Sequence, residues 1–202
     1  MKINVIGSFF GIDGYGNHTR QLTNALNKYH EVSVVTQLPP NWNLMVNDDE
    51  LKMFKRNQEE ADVNLLIGLP THWKQFMCEK QKFIGFLVWE GDKIPIGWLD
   101  ILDDKRLFQI WVPSTHTKQA IINTTTSNNI INKIRIVPHG VDIKLFYPTT
   151  RKDKTFTFLY NKGFRGMNDR GGLQFALKAF YNEFKDSKDV KFVIKINPAY
   201  GI

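Results

Sequence analysis

Ile134-Arg-Ile-Val-Pro-His-Gly-Val-Asp142 is followed by Phe146 and Pro148, a short linker, the run Phe156-Thr-Phe-Leu-Tyr160 and the turn Asn161-Lys-Gly-Phe-Arg-Gly-Met-Asn-Asp-Arg-Gly171. The first run begins apolar and β-branched and is stopped by proline and glycine, so it reads as a buried strand. Residues 149–154 are polar and basic, the composition of a domain boundary. The second run is a new strand. The glycine- and arginine-rich turn after it opens a helix expected from Arg170 to about Phe184. One α/β unit therefore ends in this stretch and another begins. The free N–H groups and positive dipole end of the new helix suit an anion. Arg165 and Arg170 add two charges that can hold both phosphates of a diphosphate. A solvated basic turn is the competing reading.

Working outward, apolar runs predict strands at Lys2–Gly7, Val32–Thr36, Asp62–Ile67, Lys82–Val88, Leu107–Val112 and Lys133–Val137. Between them lie helical segments: one capped by Asn17 and running to about Lys28, with Leu22, Ala25 and Leu26 on one face; a charged, exposed one at Asp48–Gln58; one at Pro95–Leu102, entered through proline; and one at Thr115–Asn123, with Ser114 as its cap. Strands alternating with helices predict an α/β, Rossmann-like parallel sheet covered on both faces. Residues 1–148 form this domain and 155–202 one further βαβ unit, ending with a strand at Val190–Ile196. A lone βαβ unit cannot bury much core. It calls for neighbouring strands from a longer chain, from a partner, or from packing on the first domain.

The composition is that of an ordinary globular protein, with 42% hydrophobic and 23% charged residues. No apolar run approaches the roughly 18 residues needed to span a bilayer, and the N-terminus is too short and strand-like for a signal peptide. The single cysteine, Cys78, cannot form an internal disulfide, which fits a cytoplasmic setting. The net charge of +7 is unevenly spread: residues 1–148 carry 16 Lys+Arg against 15 Asp+Glu, and residues 149–202 carry 11 against 5. That excess suits an anionic ligand, an acidic membrane surface at which the protein sits peripherally, or simply a solvated face. Zinc-finger spacing, an RNA-binding sheet signature and a basic stripe interleaved with aromatics are all missing, so a nucleic-acid partner is not expected.

Chemistry-bearing residues gather where strands end. Ser8–Asn17, after the first strand, carries Gly11, Gly14 and Gly16 with Asp13 and Tyr15. The glycines allow close backbone approach to a ligand; a plain tight turn is the alternative. Their spacing is not the dinucleotide G-x-G-x-x-G, and the second strand leads into Gln37 where an acidic ribose ligand would stand, so an NAD-dependent oxidoreductase is disfavoured. Trp89 and Glu90 follow the fourth strand: a ring that can stack on a sugar and a carboxylate that can accept hydroxyl hydrogen bonds, or else a core tryptophan and a solvated acid. His139 can face a cleft, while Gly140 suits a turn and Asp142 a cap. His72 and His116 are weak candidates. No Ser/His/Asp arrangement and no metal-ligand spacing is evident, and no metal or cofactor is expected.

These strings, in this order, resemble the family-4 glycosyltransferases of GT-B fold over nearly the whole chain. The first glycine loop resembles that family's loop against the nucleotide sugar. Trp89-Glu-x-Asp-x-Ile-Pro-x-x-Trp98, followed by Trp111-Val-Pro-Ser114, is similar to one branch of the family. Pro138-His-Gly-Val-Asp142 with Phe146 and Pro148 resembles its exit from the first domain. The resemblance implies an acceptor domain followed by the start of a nucleotide-sugar domain. It implies sugar transfer from a nucleotide-diphosphate sugar to a glycan, lipid or protein acceptor with configuration retained. In that scheme Arg165, Arg170, Gly14 and Gly16 hold the diphosphate. Glu90 stands on the catalytic face, and Trp89, Asp13, Tyr15 and His139 line the cleft. Two departures stand out. Many members have a histidine where Trp89-Glu90 stands, and the family's Glu-x7-Glu segment lies beyond what residues 1–202 contain. The second function class is therefore a non-catalytic sugar- or nucleotide-binding subunit of a split transferase.

Overall fold

The computed structural model describes residues 1–11, 13–36, 46–56, 59–149, 155–161 and 171–195. Two compact units emerge, Met1–Gly140 and Val141–Ile202.

The first unit runs β1 (Lys2–Gly7), α1 (Gly14–Leu26), β2 (Glu31–Thr36), α2 (Asp48–Phe54), β3 (Val63–Ile67), β4 (Lys82–Phe86), α3 (Leu99–Leu102), β5 (Leu107–Val112), α4 (Thr115–Ile122), α5 (Asn128–Lys133) and β6 (Ile134–Ile136). Short 3-10 turns lie at Pro70–His72, Lys74–Phe76 and Ile96–Trp98. The six strands form one sheet in the order β2-β1-β3-β4-β5-β6, every pair parallel. This is a Rossmann-like α/β sheet. The chain leaves β1 in one direction for β2 and returns to its other side for β3. That reversal creates the switch point where such sheets bind ligands, at the carboxyl ends of the strands.

Alternate residues of each strand feed two separate cores. Val5, Leu65 and Phe86 join Val32 and Met53 on the face covered by α1 and α2. Ile6, Leu66 and Ile110 join Trp73, Leu102, Ala120 and Ile130 on the other face. Both faces are thus buried, which is why the strands read as near-continuous apolar runs. Gly85 in β4 makes room for the fully buried Trp73: a Cβ there would overlap the indole, whose Nε1 donates to the Gly68 carbonyl at 3.1 Å.

Polar groups inside the sheet are paired. Asn4 and Asn64 stand opposite each other in register, and Asn4 Nδ2 donates to Asn64 Oδ1 at 2.8 Å. Ser33, opposite Asn4 on the other side, donates to Asn4 Oδ1. Asn64 Nδ2 donates on to Gln81 Oε1 at 2.7 Å.

Several expected boundaries shift. α1 begins at Gly14, and its cap is Asp13, whose carboxylate accepts from Gly16 N at 2.8 Å; Asn17 lies inside the helix. Asp13 precedes the turn and already has the extended cap geometry. Leu22 and Leu26 pack partly buried on the core as expected, Ala25 is exposed, and the most buried positions are Gly16, Thr19 and Thr23. α2 is not simply exposed: Asn47 and Glu50 form a capping box, and Glu50 and Met53 are buried. Ser114 caps α4 by accepting from Thr117 N at 3.2 Å. The helix expected at Pro95–Leu102 is a 3-10 turn at Ile96–Trp98 running into α3, whereas α5 and the 3-10 turns at Pro70–His72 and Lys74–Phe76 have no counterpart in the expectation.

In the second unit Asp142 Oδ1 accepts from Lys144 N at 2.9 Å and Leu145 N at 3.3 Å, the capped turn that its position suggests. β7 (Phe156–Asn161) and β8 (Val190–Lys195) pair in parallel around α6 (Leu173–Phe184). Phe158, Phe180, Phe184 and Phe192 interlock with ring centroids 5.2–5.8 Å apart. α6 starts after Gly172, which takes φ 73° in the left-handed region, so the helix begins later than the expected Arg170.

Candidate functional site

The carboxyl edge of the first sheet gathers four segments. The first is the loop after β1 and the opening turn of α1. The second is the loop after β4, Leu87–Ile94. The third is the start of α4, and the fourth is the segment after β6.

The first segment is shaped by glycine. Gly16 packs so closely on the loop that a Cβ would overlap the Gly11 carbonyl. Its role in the fold is this approach of helix to loop. Gly14, by contrast, has nothing within 4 Å of where its Cβ would be and is exposed. Asp13 already fills the helix N-terminus with its own carboxylate, a favourable arrangement for the cap. Tyr15 is half-buried and reaches across to the loop after β4, its hydroxyl donating to the Val88 carbonyl at 3.4 Å. Burial pushes the Tyr15 phenol up, and the nearby carboxylates of Glu90 and Asp13 push it the same way. The hydroxyl is therefore a neutral donor at neutral pH.

The second segment is held from several sides. Trp89 Nε1 donates to the Lys93 carbonyl at 2.7 Å, and its ring meets Trp98 edge-on at 5.0 Å. The indole thus packs, partly buried, against the core. Thr117 Oγ1 donates to the Trp89 carbonyl at 3.2 Å. His116 Nε2 pairs with the Glu90 carbonyl at 3.0 Å as a donor. Asn123 Nδ2 donates to the Asp92 carbonyl at 3.0 Å, and Thr124 Oγ1 accepts from Ile94 N at 3.0 Å. Four side chains of the α4 region thus fix the loop backbone, and Glu90 is left exposed beside Tyr15.

The fourth segment brings His139 back over the sheet edge. Its ring stacks on Phe86 with centroids 5.8 Å apart and lies 4.3 Å from the ring of His18, on α1. His18 meets Phe86 edge-on at 4.5 Å, and its Nδ1 is buried with no hydrogen-bond partner among the described residues. Burial holds its pKa down at about 4, helped by His139, so the ring is neutral at pH 7. Sequence reasoning missed His18. The usable signal was helical spacing, because His18 lies one turn after Tyr15 on α1.

The structure therefore brings Asp13, Tyr15, Glu90 and His139 to one sheet edge and adds His18. His72 is exposed in its 3-10 turn. Arg165 and Arg170 lie outside the described residues. Among the described residues there is no group of three or more His, Cys, Asp or Glu that could hold a metal ion, and no helix is long and apolar enough to cross a membrane. Fold and site together define a Rossmann-like α/β protein with a polar, aromatic-walled candidate site at the strand ends. No protein-family model matches the chain, and no curated protein matches it.

Proposed function

We propose that the chain is part of a glycosyltransferase that moves a sugar from a nucleotide-diphosphate sugar to an acceptor, with retention of configuration. The observation that carries this reading is the Glu90 carboxylate, exposed on a loop whose backbone is tied down by α4 and flanked by the Tyr15 hydroxyl. A carboxylate on a fixed loop can accept hydrogen bonds from sugar hydroxyls and stabilise positive charge at the reacting carbon. Fixing it beforehand avoids reorganisation during reaction. Arg165 and Arg170 take the charge that develops on the departing diphosphate. Gly14 offers open backbone at the start of α1. The setting is cytoplasmic, with peripheral contact to an anionic membrane, and the acceptor is a glycan, lipid or protein.

The test, made in the complete transferase that this reading calls for, compares nucleoside-diphosphate release from a panel of nucleotide sugars by wild type and Glu90→Gln. Glu90 is exposed and its side chain is outside both cores, so the variant should fold. Turnover should fall at least roughly tenfold, the loss expected for an electrostatic stabiliser. Equal turnover in the variant would remove Glu90 from the catalytic face.

A further inference from the structure

At the opposite end of the same sheet, where β4 and β5 begin, a groove of about 550 Å³ is lined by Cys78, Glu79, Lys80, Gln81, Lys82, Lys105, Arg106 and Phe108. Its volume lies within the range of small-ligand sites. The first unit as a whole is almost charge-balanced, so a local cluster of cations here is a matter of placement.

The cations differ in how they are held. Arg106 is neutralised in place: its Nη2 and Nε donate to Asp104 at 2.6 and 3.0 Å, and its Nη1 to the Met77 carbonyl at 3.3 Å. The Arg106 hydrogen bond holds the Asp104 carboxyl down at about 2, so this pair is fully ionised at neutral pH. Lys80, Lys82 and Lys105 are all exposed, and none of the ion pairs among the described residues involves them. Lys82 Nζ instead stands 4.8 Å from the centroid of Phe108, an aromatic that is 47% exposed. Three lysines outside the ion pairs of the described residues thus line the groove with Glu79 as the one carboxylate of its lining, beside an exposed ring.

We infer that this groove binds a phosphate-bearing ligand, with Lys80, Lys82 and Lys105 on the phosphate and Phe108 against its organic portion. Ammonium groups on flexible stems are point-charge partners for phosphate and impose no planar geometry. The exposed ring adds apolar contact that a bare ion would not use. The site lies at the amino ends of the strands, away from Glu90, and is independent of the glycosyltransferase reading.

Cys78 is the sole cysteine and lines the groove, so its alkylation by iodoacetamide reports occupancy. Pyrophosphate, and separately phosphatidylcholine vesicles with and without phosphatidylglycerol, serve as probes. The expected result is several-fold slower alkylation with one of these phosphate probes, reversed by salt. Lys80→Ala/Lys82→Ala/Lys105→Ala should weaken the protecting affinity about tenfold, and the three Lys→Arg changes should retain it. Protection by pyrophosphate assigns a free phosphate ligand. Protection by anionic vesicles alone assigns a lipid headgroup. Persistence of protection in Arg165→Ala/Arg170→Ala keeps the groove separate from the proposed diphosphate site. No protection by either probe, or equal protection in the alanine variant, overturns the inference.

Discussion

The rings of His18 and His139 lie 4.3 Å apart although 120 residues of chain separate them, and Phe86 packs against both. The contact ties the first helix to the segment after the last strand of the sheet. It also adds to burial in setting how His18 responds to acid.

His18 is held neutral by burial first and by His139 second, with a pKa of about 4 against an ordinary value near 6.5. In this window the unfolded chain binds the proton more readily than the folded one. Stability is therefore fully present above about pH 6.5 and is lost as pH falls towards 4. Thermal unfolding between pH 7 and pH 4.5 should show a falling midpoint, and His18→Asn should flatten that part of the curve. The same slope in wild type and variant would mean that His18 does not titrate as described.

Gly85 is a packing position. Alanine there would overlap the Trp73 ring, which is fully buried and hydrogen-bonded to Gly68. Overpacking of this kind costs about 1–3 kcal/mol. Gly97→Ala is the control, because nothing lies within 4 Å of a Cβ at that position. Denaturant unfolding should show a large loss for Gly85→Ala and a small change for Gly97→Ala. Equal effects would mean that Trp73 can move aside.

Glu50 is the one deeply buried carboxylate of α2. Burial pushes it up, but hydrogen bonds from Arg20, Asn24 and the Asn47 backbone outweigh that and leave its pKa lowered. Glu50→Ala would leave Arg20, 23% exposed, without its bidentate partner. The expected cost is about 2–3 kcal/mol, somewhat below that of breaking a fully buried pair. The contribution is present above the ordinary carboxylate range and is lost as pH falls through the lowered value. Asp49→Ala, which breaks the exposed pair with Lys52, should leave the unfolding curve unchanged.

The Asn4–Asn64 pair sets register across β1 and β3. Asn64→Leu should remove the buried hydrogen bond from Asn4 Nδ2 and cost about 1 kcal/mol, the net worth of such a bond. Adding Asn4→Leu should recover part of that loss, a double-mutant coupling that calorimetry can read. Simple additivity of the two changes would argue against the ladder.

The sheet was legible because its strands are buried on both faces, and runs such as Val63–Ile67 and Leu107–Val112 leave few other homes for themselves. Helix starts were less legible. Asp13 and Asn17 are both good caps, and only the tight packing of Gly16 on Gly11 selects the earlier one. Glu50 read as solvent-facing because its partner, Arg20, lies 30 residues away and meets it only in three dimensions. The placement of Glu90 and Tyr15 at the sheet edge was legible because each follows a strand end. The contact of Trp89 with Trp98 was not legible, because it depends on the 3-10 turn at Ile96–Trp98. His18 was missed because a cap at Asn17 starts the helix four residues late.

The most direct test of the proposed function is equilibrium binding of UDP, GDP, ADP and dTDP to the wild-type chain and to Arg165→Ala/Arg170→Ala. The account predicts saturable binding of at least one nucleoside diphosphate, weaker binding of its monophosphate, and about a tenfold loss in the double variant, the scale expected for two charge-assisted contacts. Binding of none of the four, or undiminished binding in the double variant, would contradict it.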